Sequence, residues 1–547
     1  MLSQVSFGLR TLSWILICVT YGLSADPATA EPDYWPTEAW RSATPEAQGM
    51  DSRMLLEMLQ SIRERKLAID SLTIVRNGYI VLDAYFHPFD GQSKHIIESV
   101  TKSFTSALIG IALDKGYLDS LDQPILAYLT NHPINDPDGL KKGISIRHLL
   151  TMTSGLDSRD SYQHRYAGFY DMLASGNWVQ HVLDRPLARA PGEAFEYSTG
   201  ATHLLSAVLQ HAVGTSMVAF AREHLFEPLG ITDVSWSSDP QGITVGEGQM
   251  MLTPRDMAKF GLLYLNRGLW DGQQVISKAW VEASTRKHVP AVPIAGYGYL
   301  WWIDPSGYYM AMGHLGQYLF VVPEKRLVVV VTGHLKGSQF FSPQQMLDQF
   351  IIPAAVSDKA LEARPAVNES LAAQVAQVAK EPAEGFTWDA EGGGVARDGL
   401  YKTVSPVPFS FRYPKTSRKI RKSPGQIMAM RTQLEGRFGA SVGHIPEGMT
   451  LAEVGPEVFA HDLRDKGSTV AVRSNREITL PDGSAAYRTD LDWQPTAFFA
   501  TRILLVSAFV QDKWVYLTYA VHRDYHEATF EELLVEGASI VESLTFR

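Results

Sequence analysis

The sequence predicts an α+β protein in two units: a larger domain whose antiparallel sheet is flanked by helices, then a smaller α+β domain with an antiparallel sheet. Three observations carry this. Strand-like segments at both ends of region 31–356 bracket a helical middle. A stretch without a large apolar face follows, and a second series of β segments fills the remainder. The chain has 547 residues, 45% hydrophobic and 20% charged, enough for two or three cores.

Residues 1–30 read as a secretory signal peptide. Arg10 supplies a positive start, Leu12 to Val19 is apolar except for Ser13, and Ala28-Thr29-Ala30 presents a cleavage site after Ala30. The apolar run is too short to cross a bilayer comfortably, so no stable membrane span is expected. A periplasmic or secreted protein is the expectation. Cys18, the single cysteine, lies within this segment, so the mature chain would hold no disulfide and no thiolate metal site.

The domain at 31–356 opens with a hairpin over Leu72 to Phe86, turned at Asn77-Gly78. Helices are expected at 96–115, 145–153, 200–226 and 254–266, with a polar and aromatic stretch from Asp157 to Asp184. Strands return at Tyr297–Ile303, Tyr308–Met312, Tyr318–Val322 and Leu327–Thr332, and a helix near 343–355 closes the region. Residues 357–384, rich in Ala, Glu, Lys and Pro, read as a linker. The accessory domain at 385–547 shows strands at Phe409–Tyr413, Thr469–Arg473, Ile478–Leu480, Ala485–Leu491, Leu504–Phe509 and Val515–Val521, and a last helix over Thr529 to Leu544.

The net charge of −10 argues against a nucleic-acid partner. No H-E-x-x-H, P-loop or G-x-S-x-G pattern occurs, and the pair His522 and His526 lacks a carboxylate cluster. No metal or other cofactor is expected.

Chemistry concentrates at Ser99-Val100-Thr101-Lys102, at the start of the helix expected over 96–115. Ser99 and Lys102 are three residues apart and so neighbours on one face. Helix N-terminal N–H groups lack intrahelical partners, so a hydroxyl there can be activated and its own N–H can hold a developing oxyanion. Tyr197-Ser198-Thr199 follows the turn Pro191-Gly192-Glu193, where a phenol beside an ammonium could accept a proton. Gly313-His314-Leu315-Gly316-Gln317 lies between two apolar strands. Its glycines permit close approach, and the Gln317 N–H is a candidate second oxyanion donor.

Three motifs in this order resemble those of the serine β-lactamase-related family, which includes class C β-lactamases, D,D-peptidases, esterases and 6-aminohexanoate-dimer hydrolases. The family's S-x-x-K, Y-x-N and K-T-G or H-x-G stand here as Ser99–Lys102, Tyr197–Thr199 and His314–Gly316. The resemblance covers roughly residues 40–356. It implies the serine β-lactamase/D,D-peptidase fold there, with Ser99 as nucleophile, Lys102 and Tyr197 as general base and acid, and Gln317, His314, Gly316 and Thr199 around the oxyanion and substrate. The substrate class it implies is a small ester, amide or short peptide. Two departures narrow this. Thr199 replaces an Asn that contacts an acylamino group, and His314 replaces a Lys that helps bind a carboxylate, a weaker anion site than a fixed ammonium. Ester or amide hydrolysis is therefore expected ahead of dedicated β-lactam hydrolysis. The alternatives are β-lactamase or D,D-carboxypeptidase activity, and a non-catalytic penicillin-binding-like sensor. In the accessory domain, Pro408–Pro414 and Ile540–Phe546 are similar to segments of PsbP-type α/β modules, which implies docking to an envelope partner rather than chemistry.

Overall fold

A computed structural model describes residues 34–380, except 88, 137–138, 161–166 and 336–338, and beyond them chiefly the strands between 394 and 546. Signal peptide, cleavage site and most of the last expected helix lie outside the described residues.

The seven strands of the main sheet are β1 (Ile69–Arg76), β2 (Tyr79–Tyr85), β3 (Gly296–Tyr297), β4 (Trp302–Ile303), β5 (Tyr309–Gly313), β6 (Gln317–Val322) and β7 (Leu327–Gly333), in spatial order β2-β1-β7-β6-β5-β4-β3. Both ends of the region therefore build one antiparallel sheet, as the sequence predicts. The closing pair is β1 with β7, running from Ser71 opposite Thr332 to Arg76 opposite Leu327. Every residue of β1 and of β7 is buried, so both faces of the sheet centre are covered. β7 is accordingly a continuous apolar run from Leu327 to Val331, whereas β1 buries Asp70, Ser71, Thr73 and Arg76 among its apolar residues.

The helices that matter for the site are α1 (Ser52–Glu64), α2 (Thr101–Asp114), α3 (Trp178–Asp184), α4 (Thr199–Val213), α5 (Pro254–Leu265), α6 (Lys278–Ser284) and α7 (Pro365–Val378). α1 is not among the expected elements, although Leu55, Met58, Leu59 and Ile62 recur at helical spacing and are buried, and Asp51 caps it by accepting the Arg53 N–H. α5 packs on β7, β6 and β1, while α2 packs against α4 in the helical middle.

Three expectations change in detail. The helix expected at 96–115 begins only at Thr101, because Glu98 is left-handed (φ 51°) and Glu98–Val100 forms a 3-10 turn. Thr101 to Ala112 are all buried, so the helix is wrapped on every side. The strand expected over Tyr297–Ile303 is two short strands, interrupted where Leu300 turns left-handed (φ 61°) and donates its N–H to the Leu150 carbonyl. Within the stretch read as a linker, α7 packs on α1 and buries Leu371 and Val378, two apolar residues seven apart on one face.

The described strands of the C-terminal region form two antiparallel sheets. One has seven strands, of which Thr469–Thr479, Ala485–Thr496, Phe499–Val510 and Lys513–His522 are the long ones. In the other, four-stranded sheet, Phe409–Arg412 pairs with Thr545–Phe546. No single helix among the described residues is long and apolar enough to cross a membrane.

Close packing around α2 is testable. A Cβ at Gly110 would lie 2.4 Å from ring atoms of the buried Trp280 on α6. Helix propensity favours Ala over Gly by about 1 kcal/mol, but overpacking a rigid core costs about 1–3 kcal/mol. Gly110→Ala is expected to lower the melting temperature; a calorimetric Tm at or above that of the parent would contradict this.

Candidate active site

The 3-10 turn Glu98–Val100 presents Ser99 half-buried at the mouth of α2. One turn on, Lys102 is buried (1% exposed), and its Nζ donates to Ser99 Oγ at 2.9 Å and to the Glu247 carbonyl at 2.9 Å. A buried ammonium is strongly unfavourable unless its hydrogens find acceptors, so this pair of contacts fixes the Lys102 rotamer and aims it at the hydroxyl.

Tyr197 arrives from the segment that precedes α4. Ser198 caps that helix by accepting the Ala201 N–H at 3.1 Å, an interaction typically worth about 1 kcal/mol. The Tyr197 carbonyl accepts the Ser158 hydroxyl at 2.9 Å, and its ring stacks on Trp302 of β4 with centroids 6.0 Å apart. Lys102 Nζ lies 5.2 Å from the centre of the Tyr197 ring, within cation–π range. The structure thus brings Ser99, Lys102 and Tyr197 together from two elements nearly a hundred residues apart.

The third expected element borders the same turn. A Cβ on Gly313, the last residue of β5, would stand 2.5 Å from the Ile97 carbonyl oxygen and 3.0 Å from Glu98 Cβ. Only a glycine lets the end of β5 approach the serine's turn this closely. The chain then reverses through His314–Gly316, with Leu315 left-handed (φ 60°) and its carbonyl accepting the Leu335 N–H at 2.7 Å. His314 is exposed and Gly316 buried. Gln317 is fully buried, and its side-chain amide donates to the Gly333 carbonyl at 2.6 Å, which pins the first residue of β6.

Thr199, the first residue of α4, donates its N–H to Asp160 Oδ2 at 2.6 Å. Asp160 is 3% exposed. Its burial pushes the carboxyl above the usual carboxylate range, opposed by the Thr199 N–H and by the Arg185 and Lys102 charges. Neither Asp160 nor Glu247 is conspicuous in the sequence. Asp160 is one of several polar residues early in the Asp157–Asp184 stretch, and Glu247 acts through its main-chain carbonyl, for which no side-chain pattern exists. Of the aromatic residues in the Asp157–Asp184 stretch, Trp178 is core, Tyr170 is exposed, and Tyr162 and Tyr166 lie outside the described residues. Among the described residues no group of three or more His, Cys, Asp or Glu is arranged to hold a metal ion.

Comparison with known proteins places this geometry in context. A family model described as Beta-lactamase matches residues 46–345. The chain is 23% identical over 313 residues to the 6-aminohexanoate-dimer hydrolase of Paenarthrobacter ureafaciens, covering 53% of this chain and 79% of that protein. It is 27% identical over 230 residues to Esterase EstB of Burkholderia gladioli, covering 37% and 57% respectively. Among solved structures it is similar to EstCE1, a hydrolase with promiscuous acyltransferase activity, at 17% identity and a TM-score of 0.46, covering 56% of this chain and 99% of that one.

The buried Asp160 carries a pH dependence. A carboxyl whose folded pKa is raised is favourable while protonated and costs stability as pH climbs from the unfolded value, about 4, through the folded one. Asn at this position can still accept the Thr199 N–H and never ionises. The Tm of Asp160→Asn minus that of the parent is therefore expected to be more positive at pH 7 than at pH 4, and a difference that is flat or falls with pH would refute it.

Proposed function

From the premise that this chain belongs to the Beta-lactamase family, we propose that it is a serine hydrolase cleaving an ester or amide through a Ser99 acyl-enzyme. The observation that carries this reading is the 2.9 Å contact between Lys102 Nζ and Ser99 Oγ in a site where the ammonium is otherwise held by a main-chain carbonyl.

The positions of the groups support the following sequence of steps. The base is the Lys102–Tyr197 pair with one proton between the two groups: either the neutral Lys102 amine beside the phenol, or the Tyr197 phenolate beside the ammonium, takes the proton of the Ser99 hydroxyl, and Oγ attacks the substrate carbonyl. The resulting oxyanion sits between the main-chain N–H groups of Ser99 and Gln317. Collapse breaks the bond to the alcohol or amine, which leaves with the proton returned through Tyr197. Water then attacks the acyl-enzyme, giving its proton to the same pair, and Ser99 is regenerated as the acid departs. His314 and Thr199 border the substrate, and Gly316 leaves room at the turn between them and Gln317. The close approach of β5 to the serine's turn supports this arrangement, because Gly313, which abuts Ile97 and Glu98, is the residue paired with Gln317.

Thr199 and His314, in place of an amide and an ammonium, favour esters and simple amides over β-lactams. The signal-like residues 1–30 support a periplasmic or extracellular setting for this chemistry, with the C-terminal domain as an accessory unit for an envelope partner.

Ser99→Ala is expected to lower kcat/KM for a short-chain p-nitrophenyl ester by about a thousandfold or more, and Lys102→Met by a comparable factor, since residues acting as a unit are lost together. Undiminished turnover by the Ser99→Ala protein would end this account. Nitrocefin should be hydrolysed with a kcat/KM about 100-fold or more below that of the ester, the discrimination expected where a substrate group finds no partner; equal or faster nitrocefin turnover would restore the β-lactamase alternative.

A further inference from the structure

The acceptor that holds Lys102 is itself held by a buried charge cluster. His203, one turn beyond Thr199 on α4, is completely buried. Its Nε2 lies 3.0 Å from Asp239 Oδ2 and its Nδ1 3.4 Å from Glu247 Oε2. Asp239 and Glu247 are 4% and 3% exposed, and among the described residues the His203 imidazole is the group within ion-pair distance of the Glu247 carboxylate. The Trp178 ring on α3, centred 5.2 Å away, covers the imidazole without adding charge.

Glu247 joins this cluster to the reaction centre. Its carboxylate faces His203, while its carbonyl accepts the Lys102 Nζ hydrogen. The irregular run before it is clamped residue by residue. The Thr244 carbonyl accepts from Ser206 at 2.6 Å, Val245 from the Trp236 indole at 2.7 Å, and Gly246 from Thr105 at 2.6 Å. Four successive carbonyls are thus each taken by a side chain, the last by the lysine. Asp239 is fixed in turn, its Oδ1 accepting the Gln241 and Ile243 N–H groups at 2.9 and 2.8 Å. With an ionised carboxylate oxygen at each ring nitrogen, the doubly protonated imidazole is the form that gives both carboxylates a donor and a counter-charge.

We propose that His203, as an imidazolium between Asp239 and Glu247, is a positioning residue for Lys102. It anchors the Glu247 side chain, and through it the carbonyl that holds the lysine at Ser99, and it neutralises a carboxylate that would otherwise act on the ammonium. Burial lowers the His203 pKa, but the hydrogen bonds and charges of Asp239 and Glu247 outweigh it and bring the ring to about 9. The proposal rests on reading Ser99 and Lys102 as nucleophile and base.

Three measurements on the full chain test it. With ¹⁵N-labelled histidine, one imidazole of the parent protein should remain doubly protonated through neutral pH and titrate near 9; if every imidazole is neutral by pH 8, the proposal fails whatever the variants do. The pH profile of kcat/KM for the p-nitrophenyl ester gives a second readout. In His203→Gln, loss of the cation leaves the Glu247 carboxylate unneutralised on the residue whose carbonyl holds Lys102, and the pH of half-maximal rate should rise by about half to one unit. In the isosteric Glu247→Gln, one negative charge is removed and the midpoint should fall. Profiles that stay put, or that move the same way, in folded variants overturn it, because a merely structural defect lowers rate without moving midpoints in opposite directions. If His203→Gln does not fold, the expected fall in Glu247→Gln decides. Fluorophosphonate labelling of the parent separates the two readings. An unlabelled Ser99 defeats the hydrolase reading, whereas labelling with unmoved midpoints defeats only the role of His203.

Discussion

An ammonium group buried as deeply as that of Lys102 survives in a folded protein only where oxygen acceptors replace the water it has lost, and here they come from two distant parts of the chain. Ser99 supplies one from the turn before α2, and Glu247 supplies the other from the coil leading to α5. To bring them together, α2 must run through the middle of the domain with no face exposed. Its packing against α4 and the ring of Trp280 on Gly110 is the steric expression of that need. The same demand accounts for the sequence of clamped carbonyls from Thr244 to Glu247. A coil without its own ladder can present a carbonyl at a fixed place only if neighbouring side chains satisfy it.

The sheet supplies the opposite wall. Pairing of β6 with both β5 and β7 leaves the His314–Gly316 reversal beside the turn that carries Ser99, and Gly313 removes the side chain that would keep them apart. Trp302 of β4 extends this wall to Tyr197, so the phenol is located by a strand at one side and by the cap of α4 at the other. Each group therefore sits on an element fixed by the core, as a preorganised site requires.

What was legible in the sequence was local or periodic. Asn77-Gly78 marked its hairpin, the valine run of β7 read as a buried strand, and Ser99 with Lys102 could be placed on one face from spacing alone. The ordered motifs identified the family because each lies at the edge of a regular element. Other features left no such trace. The 3-10 start of α2 depends on one left-handed residue, Glu98, whose side chain gives no hint of it. The apolar residues of α7 are small, Ala and Val with one Leu, and they form a packed face only because α1 lies beneath them. Asp160, Asp239 and Glu247 come from irregular segments, and what they do depends on contacts with α4 that only the folded chain creates.

The pairing of β1 with β7 has a further consequence, in the timing of assembly. β1 and β2 emerge early from the ribosome, but Arg76 must wait for Leu327 before the sheet centre exists. At ~5–20 residues per second that interval is on the order of tens of seconds, during which an apolar hairpin has one edge open. Closure at such sequence separation is also slow in itself, because a long loop must be ordered before the contact is made. The domain thus remains uncommitted until most of it has been synthesised, a state open to chaperone capture and to threading through a narrow channel, and equally to edge-to-edge aggregation if neither intervenes.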